Sequence, residues 1–401
     1  MNNKSRIALA IAAAFGTAAL GVSSGAIAQA STVQVGGSFN AFYQISKPGT
    51  GTLNSLNGGA KHDNLSLSEP ELWIHGEEKI GANTVWFRCT SSFDVFGTST
   101  SGADTGGQLC GRNSALGFKG SFGNIFAGTW DTPQKLMVAP IRGWWGGTAS
   151  LTGGMGNVLF NGAGSNIGNT GNSFWERRSR LISYHSPSFS GFDFKAAYSA
   201  QNEATAQSTA VTQALDPRSL GLSAAYTNGP LYVGVGFERH MDFNPAAQAV
   251  GALVGQYNGG NDTNWTVGGA YTFGFGTKLS GLWTRSVYEP QNGVDLKKSG
   301  WAIFVDHKLG GPHAIKAQYY KAGDSKGSSP IAVGRHRAPG VDTGAKGWSA
   351  AYTYEFSKRT EMSFVYGLTD NDTNSVYSKG VSTAVPGSTN KNYGLNVRHK
   401  F

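Results

Sequence analysis

The chain ends in Tyr393-Gly-Leu-Asn-Val-Arg-His-Lys-Phe401, a stretch in which apolar and polar side chains alternate. Positions 393, 395, 397 and 401 are apolar, whereas positions 394, 396, 398 and 400 are small or polar. A period of two with one apolar and one polar face is typical of a half-buried β-strand. This stretch therefore predicts a β-fold whose strands have two unlike faces.

The same alternation returns throughout the chain from Val33 onward, for example in residues 231–238 and 362–369. Short and long connections separate these segments in turn. The short turns lie at 81–82, 121–123, 189–191, 228–230, 274–276, 310–312 and 357–359, and the long loops at about 47–63, 97–111, 132–175, 201–216, 242–262, 289–297, 323–344 and 371–390. These seven turns and eight loops join sixteen strands. An even number of strands with short turns on one side and long loops on the other is the layout of an outer-membrane β-barrel.

A water-soluble β-sandwich is the alternative that gives a similar alternation. Its strands average about five or six residues, whereas a tilted strand that crosses a membrane needs about ten. The segments of this chain have the longer value, so the predicted fold is all-β, a 16-stranded antiparallel transmembrane β-barrel. Interfacial aromatic girdles are expected from side chains near the strand ends, namely Tyr43, Trp73, Trp86, Trp265, Trp283, Trp301, Trp348 and Tyr393.

The composition excludes several other classes of protein. Only 14% of the residues are charged, and no internal apolar run approaches the roughly 20 residues of a membrane-spanning helix. The formal charge is +9, without a cluster of Lys and Arg on a helical pattern, so nucleic acid is not an expected partner. Small anions are the expected partner for this sign, and contact with lipopolysaccharide is the alternative explanation.

Residues 1–30 have the pattern of a secretory signal peptide. Lys4 and Arg6 precede an Ala-rich apolar core, and Ala28-Gln-Ala30 offers small residues for cleavage before Ser31. A membrane anchor fits less well, because the apolar core is short and interrupted by Gly and Ser. The mature chain, 31–401, is expected to form a single barrel domain.

The longest loop, 132–175, contains no Asp or Glu. It carries Lys135, Arg142 and the pair Trp144 and Trp145 between glycines. Long structureless loops in compact domains are uncommon unless they are functional, so this loop is expected to fold into the lumen and control what passes. The tryptophans either line the constriction or wedge the loop against the wall, and the second arrangement is favoured.

The segment from Asn113 to Pro133, NSALGFKGSFGNIFAGTWDTP, resembles the fourth and fifth strands of Gram-negative trimeric general porins. Residues 357–360 and 397–401 fit the same pattern, which is closest to the β-proteobacterial (Burkholderia/Bordetella/Neisseria-like) branch. The resemblance implies a homotrimer in the cell outer membrane, each barrel narrowed by its third loop and passing small hydrophilic solutes by passive diffusion. It also implies that Phe401 is the signal read by the outer-membrane assembly machinery.

In the porins that this chain resembles, wall arginines face carboxylates on the third loop, and the field between them acts on solutes. By this resemblance Arg112 and Arg177 are pore-wall arginines. Arg178 and Arg180 have the opposite strand parity to Arg177, so they are weaker candidates that need a twist or bulge to face the lumen.

Two departures from the pattern bear on selectivity. Glu71 stands where a wall arginine is expected, with Glu69 beside it, and the third loop has no acidic tip. The acids expected near the constriction are therefore Glu71 on the wall and Asp131 at the base of the loop. With Lys135, Arg142, Arg112 and Arg177 nearby, the sequence predicts a preference for anions. A substrate-specific porin for an anionic, sugar or aromatic-acid solute is the alternative.

Cys89 and Cys110 flank the second long loop, and in an exported protein their even number allows a disulfide. Free buried cysteines are the alternative. The eight histidines are scattered without a motif around a serine, so an enzyme is not expected. We expect no metal and no cofactor.

Overall fold

The computed structural model describes residues 29–47, 49, 61–67, 70–93, 95–96, 109–142, 149–160, 173–200, 217–243, 260–291, 293–377 and 385–401. Within these ranges the chain forms eighteen strands and two helices. The strands are β1 Gln29–Lys47, β2 His62–Leu67, β3 Glu71–Ile80, β4 Asn83–Ser91, β5 Ser114–Gly120, β6 Gly123–Asp131, β7 Arg177–His185, β8 Phe192–Ala200, β9 Arg218–Asn228, β10 Leu231–Phe243, β11 Gly260–Thr272, β12 Thr277–Gln291, β13 Val294–Gly310, β14 His313–Ala322, β15 Lys326–Gly327, β16 Ala345–Ser357, β17 Thr360–Asn371 and β18 Thr389–Lys400. The helices are α1 Pro133–Val138 and α2 Ala149–Phe160.

Sixteen antiparallel strands make the wall, as the sequence predicted. β2 and β3 both pair with β1 and together form one interrupted wall strand. β15 is a two-residue element in the connection from β14 to β16, where it pairs with β13. The remaining strands each pair with their neighbours in sequence, which is the up-and-down order of a membrane barrel.

The first and last strands close the barrel. β1 pairs with β18 from Ser38 opposite Lys400 to Lys47 opposite Lys391. Beyond this ladder Gly37 and Phe401 exchange two backbone hydrogen bonds of 3.0 and 3.1 Å. Among the described strands, closure leaves no unpaired sheet edge, which is the condition for a sheet to exist in lipid.

The two faces of each strand differ as the alternation predicts. On β11 and β12 the outward residues Trp265 and Trp283 are exposed, whereas Asn264, Thr266 and Thr284 on the other face are fully buried. Their side chains hydrogen-bond within β11 and across to β12 at 2.9 to 3.3 Å. The inner wall is therefore polar and internally hydrogen-bonded, whereas the outer wall is apolar.

Two of the aromatic residues expected in the outer girdles lie on the inner face instead. Trp73 lies under the guanidinium of Arg88, and Trp86 is buried against Phe126 and Trp130. The prediction was wrong for these two because a tryptophan near a strand end does not reveal its face. Their outward neighbours are Leu72, Ile74 and Phe87, all of which are exposed.

The predicted connections agree with the observed strand ends except at 289–297. There β12 and β13 continue past the expected loop and leave only residues 292 and 293 between them. Among the helices of the described ranges, none is long and apolar enough to cross a membrane. Of the expected leader 1–30, only Gln29 and Ala30 fall in the described part, as the first residues of β1, and cleavage before Ser31 stays a prediction.

Candidate functional site

The connection from β6 to β7, residues 132–176, is called the constriction loop below, and its described parts, 132–142, 149–160 and 173–176, lie inside the barrel. It begins at Thr132, whose hydroxyl accepts a hydrogen bond from the backbone N–H of Lys135 and caps α1. Pro133 occupies the first turn, where its missing N–H leaves no bond unmade. The loop is one residue longer than predicted, because β7 begins at Arg177 and leaves Glu176 outside the strand.

The first half of the constriction loop is hydrogen-bonded to the inner face of β10 to β12. Gln134 donates to Thr266 at 2.8 Å and also to Asn264. The hydroxyl of Tyr232 donates to the carbonyl of Met137 at 2.8 Å. Further along, the carbonyl of Ile141 accepts from Ser280 at 2.5 Å, and that of Pro140 accepts from Lys278. Wall side chains thus bond the carbonyls of Met137, Pro140 and Ile141 in this part of the loop.

Glycines on the inner wall make room for this half of the loop. A Cβ added at Gly234 would lie 2.7 Å from Met137, and one at Gly236 would lie 3.0 Å from Gln134. These glycines alternate with outward Val233 and Val235, as the sequence predicted for β10. The close approach of α1 to the wall therefore depends on residues without side chains.

The second half of the loop, α2, packs on the opposite part of the wall, from β13 to β17. Its buried residues Met155, Val158 and Leu159 belong to a hydrophobic cluster that includes Tyr320 of β14. Gly154 faces the hydroxyl of Tyr320, which is hydrogen-bonded to Thr369 at 2.6 Å. The described parts of the constriction loop therefore lie along the inner wall from β8 to β17.

The two ends of the loop meet at one buried group of side chains, the root cluster, formed by Thr132, Arg178, Glu238 and His240. Glu238 accepts from Thr132 at 2.8 Å, lies 2.9 Å from the His240 imidazole and 3.5 Å from the Arg178 guanidinium. Arg178 also donates to the carbonyl of Ser173 at 2.9 Å. Glu238, His240 and Arg178 are fully buried.

An aromatic stack adds to this attachment. The ring of Phe174 lies parallel to the His240 imidazole, with 4.3 Å between centroids. The backbone N–H of Thr132 also donates to the carbonyl of Glu176 at 3.4 Å. One carboxylate on β10 thus holds both the outgoing and the returning end of the constriction loop.

Charged groups cluster on the wall from β3 to β7 and at the root of the loop. Arg112 forms an ion pair with Glu71 at 2.9 Å. Asp131 accepts from Lys135 at 2.8 Å and lies 3.5 Å from the Nε of Arg177. Asn113 links Asp131 with Arg177, because its amide donates to Asp131 at 3.0 Å and accepts from Arg177.

Two further guanidinium groups lie over aromatic rings. Arg88 is 5.0 Å from the ring centroid of Trp73, and Arg142 is 4.4 Å from that of Trp175. A cation held over a ring keeps its full charge. These two groups therefore add positive charge to the site.

A β-bulge at the start of β7 determines which of its arginines are buried. The register between β6 and β7 shifts between Gly128 and Trp130, and Arg180 has a φ of +51°. Arg177 and Arg178 are both buried on this account, whereas Arg180 is exposed. Regular alternation would have turned Arg178 outward, and the bulge brings it into the root cluster instead.

Glu176 has an unusual setting outside the strands. Its side chain is buried, and burial raises its pKa to about 7, although Lys135 and Arg178 act in the opposite direction. The only carboxylate of the constriction loop is therefore largely protonated below neutral pH.

A small cavity lies between the constriction loop and the wall, and we call it the side pocket. Positively charged groups reach it from three elements: Arg142 of the loop, Lys278 of β12 and Lys316 of β14. Its remaining lining residues are Ser280, Phe304, Val305, Asp306, Ala317, Gln318 and Ser349.

The other residues expected from the sequence are placed as follows. Cys89 of β4 and Cys110 are joined by a disulfide, with 4.6 Å between their Cα atoms. Phe401 lies at the closing seam of the barrel and its ring is exposed. Trp144, Trp145 and Glu69 lie outside the described residues.

Several residues of the site were missed by the sequence analysis. Glu238 and Lys316 were recognised only as polar-face residues of their strands, and Arg88 and Lys278 were not singled out. Strand parity could have found the two lysines, since Lys278 shares a face with Ser280 and Thr284. The root cluster has no comparable signal, because Arg178 and Thr132 meet Glu238 from 60 and 106 residues away.

Comparison with known proteins gives consistent matches. A family model described as Gram-negative porin matches residues 9–374. Outer membrane porin protein 32 of Delftia acidovorans is 28% identical over 239 residues, which are 56% of this chain and 57% of that protein. An outer membrane porin protein of Bordetella pertussis is 25% identical over 352 residues, 82% of this chain and 81% of that protein.

Among solved structures, the fold is similar to that of an anion-selective porin from Comamonas acidovorans. The TM-score is 0.70 at 21% sequence identity, and the match covers 93% of this chain and 100% of the other.

Proposed function

The chain belongs to the Gram-negative porin family, so its barrel is that of an outer-membrane channel, and we propose that it passes small hydrophilic solutes and ions by diffusion, with a preference for anions. The resemblance to the β-proteobacterial branch agrees with the relatives from Delftia and Bordetella.

The charge of the constriction carries the proposal. Residues 132–175 contain no Asp or Glu, and the adjacent Glu176 is buried with a pKa of about 7. The nearby carboxylates Glu71 and Asp131 are both engaged in ion pairs with cations.

Cations outnumber these carboxylates. Arg112, Lys135 and Arg177 pair with the two acids, and Arg88 and Arg142 lie over aromatic rings. The surplus is therefore positive on both the wall and the loop. Such a surplus attracts anions into the narrow part of a channel and repels cations. The solved porin of similar fold from Comamonas acidovorans is itself described as anion-selective.

A measurement of the reversal potential tests this proposal. The protein is reconstituted in planar bilayers under a gradient of potassium chloride, and the expected reversal potential has the anion-selective sign. One unit charge at about 4 Å in water contributes about 1 kcal/mol, so Arg177→Gln is expected to lower the ratio of anion to cation permeability by roughly fivefold. A wild-type reversal potential of the cation-selective sign would overturn the proposal.

Arg239→Gln is the matched control. Arg239 is an exposed residue on the outward face of β10, next to buried Glu238 and His240 on the inward face. The substitution removes the same charge from the protein without changing the lumen, so the reversal potential is expected to stay at the wild-type value. An equal shift in both variants would assign the preference to net charge instead of to the constriction.

A substrate-specific porin for an anionic, sugar or aromatic-acid solute is the second candidate. The loop offers an aromatic surface where Trp175 stacks against Arg142 and Phe160. Flux that saturates with one such solute would favour this candidate, whereas flux that rises linearly with concentration favours the general channel.

The remaining expectations complete the proposed function. The protein assembles as a homotrimer in the outer membrane, where its outer face contacts lipopolysaccharide and membrane lipid. The leader 1–30 is removed before Ser31, and the terminal Phe401 is recognised by the assembly machinery. The exposure of the Phe401 ring supports the last point.

A further inference from the structure

The side pocket has the composition of an anion site. Two ammonium groups and one guanidinium line it, from Lys278, Lys316 and Arg142, against a single carboxylate, Asp306. Ser280, Gln318 and Ser349 add hydroxyl and amide groups to the lining. Hydrogen-bond donors with a positive surplus are what an anion requires when it leaves bulk water.

The pocket is held in place by contacts between the constriction loop and the wall. Lys278 donates to the carbonyl of Pro140, and Ser280 donates to that of Ile141 at 2.5 Å. These bonds fix the backbone that carries Arg142, whose guanidinium is also stacked over Trp175 at 4.4 Å. On the wall, Gln318 donates to Ser349 at 3.0 Å. The cations therefore meet the anion in a preorganised arrangement.

The size of the pocket limits what can occupy it. Its volume is about 20 Å³, which is room for one species of about the size of water. A chloride ion fits this description, whereas a sugar or an aromatic acid is too large.

The pocket lies on the side of the loop that faces the short turns. Lys278 follows the 273–276 turn by two residues, and Lys316 follows the 311–312 turn by four. In outer-membrane barrels the short turns face the periplasm. An anion that has passed the charged groups at Arg112 and Arg177 therefore meets the pocket next.

We infer that the side pocket formed by Arg142, Lys278 and Lys316 is a weak binding site for a small monovalent anion such as chloride, on the periplasmic side of the constriction. The inference rests on the proposed anion channel and adds one defined anion-binding site to it. Conduction requires such a site to bind well enough to be entered and weakly enough to be left. The site raises anion occupancy when the salt concentration is low.

The test is the conductance of single channels in planar bilayers at several concentrations of potassium chloride. Wild-type conductance is expected to fall less than proportionally as the salt is diluted, because the site stays filled. In the double variant Lys278→Gln and Lys316→Gln the conductance is expected to lie about twofold below the wild type near 0.01 M, where the Debye length is about 30 Å. At 1 M, where the Debye length is about 3 Å, the variant and the wild type are expected to conduct alike, which also shows that the variant forms pores.

Lys308→Gln is the matched control. Lys308 is an exposed lysine near the same end of β13, and it is not among the residues that line the side pocket. The control is expected to keep the wild-type concentration dependence. If the double variant and the control behave alike, the cations act through the general field of the channel rim and the site is refuted.

Replacing chloride by gluconate gives a second arm. Gluconate exceeds the volume of the pocket, so the wild type and the double variant are expected to have the same gluconate conductance at each concentration. Identical curves for chloride and gluconate in the wild type would overturn the inference. A cation-selective reversal potential would instead overturn the proposed function, so the two failures are distinct.

Discussion

Glu238 is the residue on which both ends of the constriction loop depend. Its two carboxylate oxygens accept from Thr132 at the start of the loop and contact Arg178 and His240 at its return. Arg178, Glu238 and His240 are fully buried. A buried ion pair stabilises little relative to an apolar pair, but removal of one partner leaves an uncompensated charge that costs several kcal/mol.

Substitution of Glu238 by Gln is therefore expected to weaken the attachment of the loop. The buried guanidinium of Arg178 loses its counterion, at a cost of about 3 kcal/mol. We expect a lower midpoint of thermal unfolding in detergent and increased open-channel current noise, which reports motion of the loop in the lumen.

The double variant Arg178→Met and Glu238→Leu provides the control for this prediction. Because the charged groups leave together, the double variant is expected to be more stable than either single variant. If the losses of stability in the two single variants added up in the double variant, the two side chains would act independently. That result would contradict the role assigned to Glu238 in the root cluster.

Glu176 makes the protein sensitive to pH near neutrality. Burial raises the pKa of its carboxyl from 4.5 to about 7. Between these values the folded protein retains a proton that the unfolded chain has lost, so stability falls as the pH rises through this window. For one such group the total change is roughly 3 kcal/mol.

Glu176→Gln is expected to remove this part of the pH dependence. Thermal unfolding midpoints measured below pH 5 and above pH 7 should differ less in the variant than in the wild type. Glu355→Gln, which alters an exposed carboxylate at the end of β16, should leave the difference unchanged. A variant with the full wild-type pH dependence would show that Glu176 titrates normally.

At the scale of elements, glycines of the wall form the surface on which α1 and the residues after it pack. Gly234 and Gly236 lie under Met137 and Gln134, and Gly268 lies under Ile141. Glycine weakens a strand, because it costs backbone entropy and packs no side chain. On these strands the space is used by the loop, whose hydrogen bonds to Tyr232 and Ser280 offset that loss.

Gly234→Val is expected to displace the constriction loop. The added side chain would occupy the position of Met137, since a Cβ at 234 already lies 2.7 Å from it. Overpacking of this kind costs about 1–3 kcal/mol, and the unit conductance should change because α1 moves into the lumen. Gly281→Val is the control, as its Cβ meets only wall atoms at 3.2 Å or more. Equal conductance changes in both variants would show that the packing of α1 on the wall does not determine the width of the pore.

At the scale of the whole molecule, the sequence predicts the barrel well because its strands repeat one local pattern. The alternation in residues 231–238 places Gly234 and Glu238 on one face, which is what the structure has. The positions of the tight turns were predicted for the same reason, since glycines such as Gly81 and Gly229 adopt positive φ there.

The candidate site could be predicted only in part. Arg112 and Arg177 were expected from the family pattern. In the structure Arg112 pairs with Glu71, and Arg177 lies close to Asp131. Arg178 could not be placed, because a bulge reverses its parity and local sequence does not reveal a bulge. Trp86 was assigned to the outer face but lies on the inner one. Glu238 was not recognised as the residue that holds both ends of the constriction loop. Both errors concern contacts between distant elements, which the period of a single strand does not report.

The closing seam makes barrel formation depend on pairs that are distant in sequence. β1 pairs with β18, and Gly37 and Phe401 exchange the backbone hydrogen bonds beyond that ladder. Because loop-closure entropy must be overcome before such distant pairs form, this pairing is intrinsically slow. A barrel in which β18 has not yet paired with β1 would expose two sheet edges to lipid, where unpaired backbone groups are not tolerated. We therefore expect closure of this seam to be the slow step of barrel formation.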